Sequence, residues 1–234
     1  MRRWLSLLLT FFLLLPACAG AERYAPDSIE EAWRQAVSLF SQCAFNAPYE
    51  DETRDQLIRW VDRIRIYLDG SPTKADIRQV DSFIMELSLR VPELPWIVRV
   101  ESEEEANMVI HYCKLSEMES ILPQYVEGNW GMYSYSYHPN GEIFKATICI
   151  ARDKANQSAR NHLIREEIVG ALGLTNGHEV YQDSILYRKW TTVQTLSDVD
   201  WLMLNLLYSP HVFPGWNHDQ TMQALESYYI KNPV

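Results

Sequence analysis

The sequence is short of positive charge. Its 21 Lys and Arg stand against 31 Asp and Glu, a net charge of −10 over 234 residues. A surface of that sign repels phosphate, which excludes nucleic acid and anionic lipid as general partners. Repeats and low-complexity stretches are missing, which excludes solenoids and linker-like chains. Four cysteines are too few for a disulfide-stapled scaffold. Long apolar runs are also missing. The run from Trp4 to Leu15 falls short of the roughly 20 residues that a bilayer span requires. What is present is 47% hydrophobic and 22% charged, with 8 Trp and 13 Tyr, enough for one full core.

The apolar run belongs to a leader. Arg2 and Arg3 precede it, Pro16 ends it, and Ala17-Cys18-Ala19-Gly20-Ala21 follows. This is the three-part plan of a secretory signal peptide over residues 1–21. Two processing readings are open. Leu15-Pro16-Ala17-Cys18 resembles a bacterial lipobox, which makes Cys18 a lipid attachment point. Ala19-Gly20-Ala21 resembles an ordinary cleavage site. Both send the chain to the periplasm or, as a lipoprotein, to the outer membrane, with any membrane contact made through a lipid at Cys18. Residues 22–234 are then one mature domain. Cys43, Cys113 and Cys149 remain, which allows one bridge and one leftover thiol. Cys113 and Cys149 sit in strand-like runs and could face each other across a sheet; the other reading is three buried, inert thiols.

The elements can be read from patterning. Ser28 with Glu31 caps a helix carrying Ile29, Trp33, Val37 and Phe40. Ile58 to Leu68 alternates as a strand closed by Asp69-Gly70. Thr73 to Leu89 is a second helix, and Trp96 to Val100 a strand. Glu101 to Glu105 is a solvated turn that lacks calcium-loop spacing. Met108 to Cys113 is a strand. Gly131 to Tyr137 and Ile143 to Ala151 flank Asn140-Gly141, a hairpin signal. Ser158 to Leu172 is a helix ended by Gly173. Ser197 with Asp200 caps a further helix, and a last one spans about Asp219 to Ile230. The order predicts an α+β domain.

Chemistry concentrates in Glu166-Glu167-Ile168-Val169-Gly170-Ala171-Leu172-Gly173-Leu174-Thr175-Asn176. In a zinc-peptidase helix two histidines at i and i+4 project from one face, and the Glu after the first acts as general base. Here Glu166 stands in the first histidine's place, Glu167 in the base's and Gly170 in the second histidine's. Asn176 holds the third ligand's place. Ser184-Ile185-Leu186-Tyr187 resembles the Met-containing turn below such metals, with Leu186 for Met.

Residues 162–210, with 59–70 and 103–113, closely resemble the bacterial family called domain of unknown function 2927, whose helix reads EExxQALGLxND. Gly170 replaces that family's usual Gln, and Gly177 its usual Asp. The resemblance implies a zincin (metzincin-like) fold: a small mixed sheet, an active-site-type helix, then C-terminal helices. It also implies that the histidine ligands have been lost.

Two functions follow. The first is a non-catalytic envelope protein that binds peptide or protein, with no cofactor favoured. Trp130, Tyr133, Tyr135 and Tyr137 would line its groove together with Asn176, the odd-numbered tyrosines sharing one strand face. The second is a metallohydrolase with zinc held by His162, Glu166 and His178 and Glu167 as general base. The bland alternative for His162 and Glu166 is a helix-surface pair worth about 0.5 kcal/mol or less.

Overall fold

The computed structural model describes residues 22–45 and 55–231. The leader and Cys18 lie outside the described residues. Six strands form one sheet, with β6 (Glu142–Ala151) as its hub. On one side β6 pairs in parallel with β4 (Met108–Cys113) and, at its start, with the short β1 (Arg59–Trp60). β2 (Ile64–Asp69) and β3 (Ile97–Arg99) continue the parallel array beyond β4. On the other side of β6 runs β5 (Gly131–Tyr137), antiparallel and joined by the expected hairpin, whose Gly141 has φ +81°. Mixed α and β elements with a mostly parallel sheet make this an α+β protein.

One expected strand is two. The alternating stretch from Ile58 to Leu68 breaks at the exposed Val61-Asp62-Arg63. Before the break Trp60 aligns with Ile143 of β6; after it Ile66 aligns with Met108 of β4. The chain steps sideways by one strand position, and alternation alone does not register such a step. A short helical segment over 115–121 was also not anticipated. It covers a second, small core made of Cys113, Met118, Leu122, Met132, Cys149 and Ala151.

The helices among the described residues are α1 (Ile29–Phe45), α2 (Lys74–Arg90), the single turn α3 (Met118–Ile121), α4 (Gln157–Ala171), α5 (Asp198–Leu207) and α6 (His218–Lys231). Capping explains where they start. Thr73 and Asp76 form a reciprocal capping box on α2, Ser197 and Asp200 one on α5, and Asn156 caps α4. Gly173, at φ +124°, ends α4 beside the Ile58 carbonyl, a spot no Cβ could enter.

α4 is central and buried on most of its surface. Ile164, Ile168, Ala171 and Leu172 join the main core, as their spacing predicts. α2 grips its outer side through two ionic contacts. Arg160 Nε donates to Asp76 Oδ1 at 2.9 Å, and Arg165 donates both Nη atoms to the Glu86 carboxylate at 2.7 and 2.8 Å. Such forked pairing holds a helix in rotation as well as position. The face of α4 carrying His162, Glu166 and Gly170 is thereby aimed at a cleft beside β5.

Candidate functional site

Alternation along β5 turns Tyr133, Tyr135 and Tyr137 toward the main core and α4, and Met132 toward the small core. Gly131 shares the tyrosines' face. The strand and the helix then fit by exchange. A Cβ at Gly131 would meet Glu167 Oε1 at 2.5 Å and Leu163 Cδ2 at 2.8 Å, so the bare strand position houses the helix carboxylate. A Cβ at Gly170 would run into the ring of Tyr133, its Cζ at 2.6 Å, so the bare helix position houses the strand aromatic. Tyr133 is fixed there by its hydroxyl, which donates to the Thr175 carbonyl at 2.8 Å.

The cleft has a volume of about 950 Å³. Gly131 to Tyr135 form one wall and α4 its floor. Residues 174–177 and 186–190 close the far side, and Trp130 and Trp190 meet edge to face at a centroid separation of 5.4 Å. Leu186 reaches the floor from its buried turn.

His162 is buried, with both ring nitrogens engaged. Nδ1 lies 2.9 Å from the Val193 carbonyl, so it carries hydrogen, and Nε2 lies 3.3 Å from Glu166 Oε2. Burial opposes protonation of this ring, yet the Glu166 carboxylate and the Val193 carbonyl outweigh it and raise its pKa. Glu167 is 7% exposed, and among the described residues no protein donor bonds its carboxyl. Burial, then the neighbouring Glu166, push its pKa well above the ordinary carboxylate value.

The structure brings together His162, Glu166, Glu167, Trp130, Tyr133, Tyr135 and Asn176 around the cleft. Asn176 accepts from Arg188 Nη2 at 2.8 Å. Tyr137 continues the aromatic row next to Tyr135 but does not line the cleft. His178 is turned elsewhere. Its Nδ1 accepts from the Val180 amide at 3.2 Å, so Nε2 donates to Ser184 Oγ at 3.0 Å, and Ser184 donates to Asp200 Oδ1 at 2.5 Å. This buried chain leaves the His178 ring neutral: burial first, then Arg188, lower its pKa to about 4. Among the described residues no three His, Cys, Asp or Glu side chains are grouped as metal ligands. Within the cleft His162 and Glu166 adjoin, and the space beside Gly170 is taken by the Tyr133 ring.

Sequence reasoning missed Gly131, Leu163, Tyr187, Arg188 and Trp190 as cleft residues. Only Gly131 carries a signal, a glycine opening a tyrosine-alternating strand, which marks a close approach. Ser41, His218 and Asp219 make a hydrolase-like relay, with Ser41 Oγ 2.8 Å from Nε2 and Asp219 Oδ1 3.2 Å from Nδ1. It lies between α1 and α6, away from the cleft, and Asp219 stands in open solvent, where it cannot hold the imidazole's orientation.

The fold and site thus define an α+β protein whose central helix and neighbouring antiparallel strand enclose an aromatic, carboxylate-floored cleft. The chain belongs to the family described as Protein of unknown function (DUF2927), which matches residues 34–227. A search of the curated proteins finds no match.

Proposed function

We propose that this is an exported cell-envelope protein with a degenerate zinc-peptidase-like domain, and that its cleft binds an extended peptide or protein segment without cutting it. One observation carries the reading: the Tyr133 ring fills the space beside Gly170 where a peptidase would present its second imidazole. The wider zincin relationship rests on the order of parts. A strand antiparallel to its neighbour borders the helix, a glycine ends the helix, and a buried turn at Ser184–Leu186 underlies the cleft. The tyrosine row and the two indoles offer apolar contact along a chain laid beside β5. Trp130 and Trp190 make binding visible as a change in tryptophan emission. Saturable quenching by extended peptides, lost in Tyr135→Glu, is the expected result. No quenching at any concentration refutes the reading.

Glu167 favours a second reading, hydrolysis. A buried, unpartnered carboxyl of raised pKa in a cleft suits a general base. His162 and Glu166 are the two side chains placed to share an ion there. Elemental analysis of native-source protein, with Glu167→Gln in a casein assay, separates the readings. Stoichiometric zinc with activity lost in the variant would replace binding by catalysis. Export is tested by the mature mass: a lipid-modified start at Cys18, blocked by globomycin, or a lipid-free start at Glu22. Residence of the intact leader-bearing chain in the cytosol would overturn it.

A further inference from the structure

The acids and bases around the cleft are nearly all committed. Glu166 faces His162, and His162 holds the Val193 carbonyl. Arg188 donates to Asn176 and to the Gly177 carbonyl, and Lys189 pairs with Glu179 at 3.5 Å. Glu167 is the exception among the described residues. It is more than nine-tenths buried and lines the cleft, and Gly131 is kept bare to accommodate it. A buried carboxyl without a partner costs stability. A ligand can remove that cost by bringing a donor.

The surroundings select the donor. Two carboxyl groups adjoin on the floor, and the whole chain carries a charge of −10, which draws cations. At the mouth the indoles of Trp130 and Trp190 are 36% and 58% exposed, faces suited to a methylene stem or a cation. We propose that the cleft takes a basic side chain of its ligand, lysine or arginine, with its stem against Trp130 and Trp190 and its charged head on the Glu167 carboxyl. This rests on the peptide-binding reading and names the residue class that the peptide must carry.

The test uses the mature chain and two acetylated pentapeptide amides, alike except for a central lysine or its uncharged mimic norleucine, with n-butylammonium as a third probe. The lysine peptide should bind about tenfold tighter. Glu167→Gln should abolish the difference. If that variant does not fold, Gly131→Ala serves instead, since its Cβ pushes the carboxyl aside. Equal binding of both peptides overturns the basic-residue inference and leaves peptide binding standing. Butylammonium binding that depends on Glu167, with neither peptide bound, keeps the cation pocket and removes the peptide reading. No binding of any probe removes both.

Discussion

The exchange between Gly170 and Tyr133 can be tested by reversing a sign. Replacing glycine by alanine within a helix ordinarily stabilises by about 0.5–1 kcal/mol. In this chain the new Cβ meets the Tyr133 ring, with Cζ at 2.6 Å and Cδ1 at 2.9 Å. The ring cannot shift without stretching the 2.8 Å bond from its hydroxyl to the Thr175 carbonyl, worth about 1 kcal/mol. Overpacking adds about 1–3 kcal/mol. The cost exceeds the helix gain, so Gly170→Ala should destabilise by about 1–3 kcal/mol, lowering Tm by roughly 3–10 °C for a domain of this size. In a Tyr133→Ala background the same substitution meets open space and should stabilise by about 0.5–1 kcal/mol. Urea unfolding of the four proteins, followed by circular dichroism, gives the coupling. Stabilisation in the parent chain, or a coupling below about 0.5 kcal/mol, would refute the claim that the tyrosine requires the glycine.

Other expectations follow from the buried charges. His178 is neutral in the fold down to about pH 4, whereas the unfolded chain protonates it below about 6.5, so the unfolded state binds the extra proton between those values. Stability should fall by up to about 3 kcal/mol as pH drops through that window, and His178→Gln should flatten the fall in urea melts across pH. Glu167 acts with the opposite sign: the fold keeps a proton that the unfolded chain has released, so stability is lost as pH rises above the ordinary carboxylate range. Glu167→Gln should therefore match the parent in acid and exceed it at pH 7, and a less stable variant at pH 7 would contradict the burial argument. Glu86→Ala strands the buried Arg165 guanidinium and should cost about 2–3 kcal/mol, much of it recovered in Glu86→Leu with Arg165→Met. Cys113 and Cys149 are unbridged and meet in the small core, so a mild disulfide donor should remove two titratable thiols and leave Cys43. Loss of one thiol or of three would contradict that pairing.

Local chemistry settled much of this protein before any packing was considered. The two reciprocal caps, Asn140-Gly141 and Gly173 act within a few residues, and each marks an element boundary where the structure has one. Periodicity did the same for faces: a repeat of two put Tyr133, Tyr135 and Tyr137 together, and a spacing of four put His162, Glu166 and Gly170 on one stripe. The parallel order β1-β6-β4-β2-β3 was not legible, because neighbours in a parallel sheet are chosen by packing between distant segments. Nor was the direction of His178, which stands two residues past Asn176 in the chain. Its imidazole was claimed by Ser184, which is itself held by Asp200, and only folding brings those together. Sequence thus determined which side chains share a face, since backbone geometry is periodic. Tertiary structure decided what each face meets, since burial and hydrogen bonding are settled between segments far apart in the chain.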